Sequence, residues 1–243
     1  MRTFGILGYP LTHSFSQGYF REKFEKEGIA DAEFQLFSYP EIASVRDILA
    51  TEKNLEGFCI TIPHKKSILS FLHETSEVVQ DMGACNCVRI KEGKLIGYNT
   101  DVVGFEQSFA PLLQPHHQQG LILGTGGAAA AVEYILKKRG IAYKFVSRTK
   151  TVDNLTYDEL SPEVMEAYTV VVNCTPLGTY PNIEQYPDIP YALLTDRHYL
   201  YDLVYNPPLT QFLAKGQQQG AAVKNGHDML LIQAEENWKI WNR

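Results

Sequence analysis

The sequence predicts a two-domain α/β protein: an N-terminal α/β domain, then a Rossmann-like, doubly wound nucleotide-binding domain. Three observations predict it. An apolar run at 121–123 ends in Gly124-Thr125-Gly126-Gly127-Ala128-Ala129 and passes directly into a helical pattern. The first hundred residues alternate short apolar runs with amphipathic stretches. A second alternation of the same kind begins at Leu121 and runs to about residue 225. Strands and helices that alternate with short links build mainly parallel sheets. The expected boundaries are 1–103 for the first domain and 104–225 for the second, with a C-terminal helix at 226–243 that returns to the first.

In the first half, 3–7 reads as a strand that stops at Gly8-Tyr9-Pro10. The loop through Ser14 and Ser16 leads to a helix with Tyr19, Phe20 and Phe24 on one face, ending near Gly28. A strand at 33–39, a helix at 41–50 and a strand at 57–62 follow. Pro63 then suits the first turn of a helix reaching Leu72. This β-α-β-α-β order predicts a parallel sheet. Runs at 87–90 and 95–98, joined across Lys91-Glu92-Gly93-Lys94, read as a hairpin. Asn99-Thr100-Asp101 opens a helix through Phe109, and the polar stretch 111–120 reads as a surface connection.

In the second half, strands are expected at 121–124, 142–146, 169–173, 198–203 and 221–224, with helices between them, one at 208–215. In the first of these helices Ala128, Ala131, Val132, Ile135 and Leu136 share a face. Lys137, Lys138 and Arg139 close it and Gly140 stops it. In the glycine turn Gly124 permits the tight bend, and Gly126 lets backbone approach a pyrophosphate. A small residue, Ala129, stands where helix and strand pack closely. The same glycines also suit a turn without a ligand. The strand at 142–146 ends in Ser147-Arg148-Thr149-Lys150 and offers no acid for a ribose 2′-hydroxyl. Its guanidinium suits a 2′-phosphate, which favours NADP over NAD. In the last helix Leu230, Ala234, Trp238 and Trp241 form a stripe that needs cover, and the amino-terminal sheet is the natural partner.

The chain has 243 residues and a net charge of −6. It has no basic run of the kind that binds nucleic acid. No apolar stretch nears the ~18 residues of a membrane span. The sequence enters a strand at once and leaves no room for a signal peptide. Four cysteines without a C-x-x-C pair read as reduced thiols, and no metal site is expected. A cytoplasmic enzyme acting on a small molecule, monomeric or homodimeric, is the expectation.

Candidate chemical groups stand where strands end, since open α/β sheets bind ligands beyond the carboxyl ends of their strands. Ser14 and Ser16 follow the first strand, and Thr61 and Lys65 the third. Asn86 precedes the hairpin, Asp101 follows it, and Tyr205 follows Tyr201-Asp202-Leu203-Val204. Interconverting an alcohol and a ketone needs a group that moves the hydroxyl proton, and Lys65 with Asp101 is a suitable pair. Taken singly, each has a plain alternative: Lys65 beside Lys66 as a solvated helix start, Asp101 as an N-cap.

Together with Gly8-Tyr9-Pro10, His13-Ser14-Phe15-Ser16, Thr61-Ile62-Pro63-His64-Lys65, Gly83-Ala84-Cys85-Asn86, Asn99-Thr100-Asp101, Asn173-Cys174-Thr175-Pro176-Leu177-Gly178, Asn206-Pro207 and Met229-Leu230 before Gln233, the set closely resembles the shikimate dehydrogenase family over nearly the whole chain. The resemblance implies reversible NADPH-dependent reduction of 3-dehydroshikimate to shikimate in aromatic amino-acid biosynthesis. It implies that Ser14 and Ser16 hold the substrate carboxylate. Thr61, Lys65, Asn86, Asp101, Tyr205 and Gln233 would surround the ring. Lys65 and Asp101 would share the acid–base step, with Lys65 as the favoured proton carrier. Gly124, Thr125, Gly126, Gly127 and Ala128 would bind the pyrophosphate, and Ser147, Arg148 and Thr149 the 2′-phosphate end. Thr175, Leu203, Gly226 and Met229 would lie near the nicotinamide.

Four positions depart from the family pattern. Cys59 stands where Asn is usual, Gln17 where Pro is usual, and Ser147 where Asn is usual. Glu235-Glu236-Asn237 is more polar than the usual helix after Gln233. A quinate/shikimate paralogue with altered substrate or NAD use, and a nucleotide-sensing module without catalysis, are the alternative readings.

Overall fold

The computed structural model describes residues 1–11 and 14–243. The elements in chain order are β1 (Arg2–Gly8), α1 (Phe15–Lys26), β2 (Ala32–Ser38), α2 (Val45–Thr51), β3 (Leu55–Ile60), β4 (Glu74–Thr75), α3 (Glu77–Met82), β5 (Cys87–Lys91) and β6 (Lys94–Tyr98). Then follow α4 (Asp101–Phe109), β7 (Gln119–Leu123), α5 (Ala129–Lys138), β8 (Ala142–Val146), β9 (Asn154–Leu155), α6 (Pro162–Ala167), β10 (Val170–Asn173), β11 (Tyr199–Asp202), α7 (Gln211–Gln218), β12 (Ala222–Asn225) and α8 (His227–Trp241). The chain forms two compact units, Met1–Thr100 with Gln233–Arg243, and Asp101–Ile232.

The first unit is a six-stranded sheet in the order β2-β1-β3-β5-β6-β4. β1 pairs in parallel with β2 and β3, as the β-α-β-α-β order predicts, and the expected hairpin adds β5 antiparallel to β3, so the whole sheet is mixed. The reason is the β5–β6 hairpin: a tight turn reverses the chain, and a reversed pair cannot keep every strand parallel. Its two turn residues, Glu92 (φ 53°) and Gly93 (φ 76°), lie in the left-handed region that two-residue hairpins require. Side chains alternate across the sheet. Leu7, Phe58 and Ile60 join one core with Val45 and Ile48. Phe4, Ile6 and Cys59 join the other with Phe20 and Phe24.

That second core is closed by α8. Ala234, Ile240 and Trp241 are buried in it and Trp238 packs against it. The Trp241 indole stacks on Phe4 at 5.0 Å between centroids and donates Nε1–H to the Val88 carbonyl at 3.0 Å. Gly57 faces the same ring, and a Cβ there would fall inside the indole. At the rim Lys23 donates to Glu27 at 2.6 Å and to Glu235 at 2.9 Å, and Tyr19 donates to Glu235. From Ala234 on, the apolar stripe of the last helix packs in the core formed with the amino-terminal sheet and α1; Leu230, expected in the same stripe, is not part of that core.

The second unit is a six-stranded sheet, β12-β11-β10-β7-β8-β9. Every neighbouring pair is parallel. Counted along the chain this is the 3-2-1-4-5-6 order of a Rossmann sheet, with the direction of winding changing at β7. One face buries Leu121, Leu123, Val171, Leu200 and Phe212. Phe105, Phe109, Tyr199 and Tyr201 form an aromatic cluster whose Phe105–Phe109 rings stack at 4.8 Å, and Tyr201 shares a 2.7 Å bond with the Ser108 hydroxyl.

Three local expectations differ from what forms. The stretch after Pro63 is not an α-helix: it makes turns and then a 3-10 helix, Ser67–Phe71. The Lys65 carbonyl accepts from the Cys85 N–H at 2.8 Å, a partner outside the segment, in place of a residue one turn on. The β10–β11 connection holds only a 3-10 turn, Tyr191–Leu193, where a helix was expected. Prolines at 176, 181, 187 and 190 withhold the N–H groups that a helix needs. The connection before β7 is not wholly superficial, because His117 is buried. Its Nδ1 accepts from the Gln114 N–H at 2.9 Å, so Nε2 donates to the Arg197 carbonyl at 3.0 Å.

Among the described residues, no helix is long and apolar enough to cross a membrane, and no group of three or more His, Cys, Asp or Glu side chains could hold a metal ion. All four cysteines are free thiols.

Candidate active site

In the first unit, topology gathers one set of candidates along a single sheet edge. β1 and β3 are parallel, so Gly8 and Ile60 end on the same side. β5 runs the opposite way and therefore begins there, at Asn86-Cys87; β6, antiparallel to β5, ends there at Tyr98. Ser14 and Ser16 follow β1. Ser14 is the N-cap of α1 and accepts from the Gln17 N–H at 3.4 Å, and Ser16 is buried in the first turn. His13 of the same motif lies outside the described residues. Thr61 continues β3, its N–H bonded to the Leu7 carbonyl at 2.9 Å, and its methyl sits where a Cβ of Gly8 would be. Lys65 is half-buried two residues beyond Pro63.

Asn86 is buried, with its amide orientation set by Thr100. Its Oδ1 accepts from the Thr100 N–H at 2.7 Å, and its Nδ2 donates to the Thr100 hydroxyl at 3.1 Å. Asn99 donates to the Ala84 carbonyl at 3.0 Å, which ties the end of β6 to the turn before β5. Gln233, from α8, is buried and accepts from Asn237 Nδ2 at 3.3 Å. Thr100 and Asn237 carried no predicted role. A threonine at a helix entry and an asparagine within an exposed-looking Glu-Glu-Asn run give no signal of burial by themselves.

In the second unit every strand's carboxyl end faces one edge, because all six run the same way. The glycine turn leaves β7 there. Gly124 has φ +94° and its Cβ position lies 3.0 Å from Thr175 Cγ2, so both backbone and space demand glycine. The Cβ positions of Gly126 and Gly127 meet nothing within 4 Å. The turn is thus open on the side where a ligand's phosphates would approach. α5 follows without a side-chain N-cap; its first N–H, of Ala129, bonds to the Gly126 carbonyl at 3.0 Å, and no side chain caps the helix start against an anion.

After β8, Asn154 laces the loop that carries the basic residues. Its Nδ2 donates to the Thr149 carbonyl at 2.8 Å and to the Ser147 hydroxyl, and its Oδ1 accepts from the Thr151 N–H at 2.6 Å. Lys150 is held by Glu159 at 2.6 Å and by the Asn154 carbonyl. The Lys150 bond, with those from the Thr156 N–H and hydroxyl, draws the Glu159 carboxyl down to about 2. Arg148 and Thr149 are exposed. With Lys150 engaged, the guanidinium that could meet a 2′-phosphate is Arg148.

Three more strand ends complete this edge. After β10, the Asn173 side chain accepts from the Thr175 N–H at 3.0 Å and from its hydroxyl at 2.7 Å, fixing Thr175 against Gly124. After β11, Leu203 approaches Gly226: a Cβ on that glycine would overlap the Leu203 carbonyl. Met229 is buried one turn into α8, Tyr205 is 37% exposed, and Asp101 opens α4 half-buried.

Asp202, at the end of β11, is a buried acid to which the sequence reading gave no role. Its carboxylate is fully buried and accepts from Asn173 Nδ2 at 2.9 Å, the Val204 N–H at 3.0 Å and the Thr210 hydroxyl at 2.6 Å. Burial pushes its pKa up to about 6, against the pull of those three donors. An acid ending the apolar run Tyr199-Leu200-Tyr201 was the signal available for it.

The residues therefore fit a dinucleotide: an open glycine turn at the switch point of a Rossmann sheet, a helix start without a side-chain cap, and an exposed arginine after the second strand. The first unit sets hydroxyl, amine and amide groups along one edge of a mixed sheet. Fold and site together define a two-domain dehydrogenase of the Rossmann class.

A family model described as the shikimate dehydrogenase substrate binding domain matches residues 6–88. The chain is 32% identical over 258 residues to a shikimate dehydrogenase (NADP(+)) of Caldicellulosiruptor saccharolyticus, covering 99% of this chain and 92% of that protein. A crystal structure of shikimate dehydrogenase from Aquifex aeolicus superposes with a TM-score of 0.87 at 31% identity, over 100% of this chain and 92% of that one. One from Thermus thermophilus, in complex with NADP(H) and shikimate, gives 0.86 at 28% identity, over 99% and 93%. The chain belongs to the shikimate dehydrogenase family and is an oxidoreductase of that family.

Proposed function

We propose that this chain catalyses the reversible NADPH-dependent reduction of 3-dehydroshikimate to shikimate in aromatic amino-acid biosynthesis. The observation that carries the reading is the single sheet edge in the first unit that assembles Ser14, Ser16, Thr61, Lys65 and Asn86. It supplies donors for a carboxylate, an amine for proton transfer and an amide with fixed orientation.

The hydroxyls of Ser14 and Ser16 bind the substrate carboxylate. Thr61, Asn86, Gln233 and Tyr205 bind ring hydroxyls. Lys65 and Asp101 share the acid–base step: the Lys65 ammonium gives its proton to the carbonyl oxygen in reduction, and the amine takes it back in oxidation. Gly124, Thr125, Gly126, Gly127 and Ala128 cradle the pyrophosphate, and Ser147, Arg148 and Thr149 meet the 2′-phosphate. Thr175, Leu203, Gly226 and Met229 wall the nicotinamide. Held there, the cofactor would supply hydride chemistry at the ring carbon.

The test is spectrophotometric: NADP reduction with shikimate, set against quinate and against NAD. Lys65→Ala should lower turnover by roughly 100-fold or more, the usual contribution of a positioned acid–base group, with a much smaller change in substrate KM. Intact turnover at saturation would remove Lys65 from the proposed role. A preference for quinate or NAD would move the chain to the paralogue reading.

A further inference from the structure

Asn237 is fully buried on α8, and all of its amide bonding is accounted for within the first unit. Its Oδ1 accepts from the Thr100 hydroxyl at 2.7 Å. Its Nδ2 donates to Gln233 Oε1 at 3.3 Å and to Cys59 Sγ at 3.2 Å. A threonine hydroxyl has one hydrogen to give. With that hydrogen spent on Asn237, the same oxygen must accept from Asn86 Nδ2, 3.1 Å away. The directions are then fixed from end to end: Asn86 donates to Thr100, Thr100 to Asn237, and Asn237 to Gln233. Each step removes one of the two flips open to an amide.

We infer that Asn237 is a positioning residue for the substrate site. Directly it settles which end of Gln233 is the acceptor, and by taking the Thr100 hydrogen it leaves that hydroxyl as acceptor for Asn86 Nδ2, the amide that the Thr100 N–H already orients. Both are residues that the proposed function sets around the ring, so the inference rests on that reading. Asn237 acts at one remove, through side chains that would touch the substrate. A buried amide that only held the helix in place would need no polar route to two side chains of the ring site. Cys59 contributes the weak acceptor that absorbs the second hydrogen of Asn237 Nδ2, so that both hydrogens point where the relay needs them.

The experiment measures initial rates of shikimate oxidation for the full chain, for Asn237→Ala, for Thr100→Val and for the double variant. Each single change should raise the KM for shikimate by about tenfold, the effect of losing one well-aligned hydrogen bond, and leave the KM for NADP within about twofold. The double variant should be little worse than either single one, because both cut the same relay. Thr100→Val keeps side-chain shape and breaks the relay from its other end, so it decides the matter if Asn237→Ala does not fold. Additive losses, or equal changes in both KM values, would overturn the positioning role and leave the functional reading intact. A wild-type chain that cannot reduce NADP with shikimate would instead remove the functional reading, and the inference with it.

Discussion

Replacing Asp202 by Asn and by Ala should shift stability in opposite directions at neutral pH. The carboxylate is fully buried and accepts three hydrogen bonds. Even so, burial lifts its pKa from 3.8 to about 6. That rise corresponds to roughly 3 kcal/mol against the charged form at pH 7. Asparagine keeps an oxygen for Asn173 and Val204 and carries no charge. It must turn its amide toward Thr210, a cost of about 1 kcal/mol, so Asp202→Asn should gain about 1–2 kcal/mol at pH 7. Alanine also removes the charge, but it strands three buried donors at roughly 1–3 kcal/mol each. Asp202→Ala should therefore lose stability on balance, by up to about 6 kcal/mol.

The pH dependence follows from the same shift. Between 3.8 and about 6 the folded chain holds a proton on Asp202 that the unfolded chain has released. Wild type therefore gains stability as pH falls from 6 toward 4, and the advantage of the Asn variant should close over that window. Denaturant titration of the three proteins at pH 7, 5.5 and 4 measures this, and groups common to all three cancel in the differences. An Asn variant as weak as the Ala variant, or a gap that does not change with pH, would refute the reasoning.

Other perturbations test other parts of the molecule. Gly57→Ala places a methyl inside the Trp241 indole and should cost about 1–3 kcal/mol of stability in the first unit, followed by tryptophan fluorescence. Arg148→Ala should raise the KM for NADP about tenfold or more and leave that for NAD nearly unchanged, since only the phosphate contact is lost. His117 and His198 are held neutral, each with Nδ1 accepting a backbone N–H, and burial pushes both below the ordinary 6.5. The unfolded chain binds those protons first, so their contribution should be complete above about 6.5 and fall away as pH drops below it. A His198→Gln variant should show a shallower acid loss than wild type in the same melts.

The alternation of the second unit was readable because buried parallel strands such as Leu121-Ile122-Leu123 and Val170-Val171-Val172 are continuous apolar runs, and Gly124 and Gly140 punctuate them. The β5–β6 turn was readable for the same local reason, a glycine where φ is positive. What failed was decided at a distance. The backbone at Lys65 bonds to Cys85, twenty residues away, and so makes no helix. The site divides along the same line. Residues that begin or end strands could be placed from sequence, since the strand ends themselves could. Thr100, Asn154, Asp202 and Asn237 act through burial and through partners up to 178 residues distant, and a polar letter in a sequence carries no mark of that.

The seam between Phe4 and Trp241 has a bearing on how the chain is made. A ribosome releases residue 4 long before residue 241, and domains tend to fold as they emerge. Here the first hundred residues leave with one wall of their aromatic interior missing, and only α8, beyond the whole of the second unit's sheet, supplies it. During synthesis the second unit is complete in sequence before the first, and until α8 emerges the amino-terminal sheet stands with bare phenylalanines.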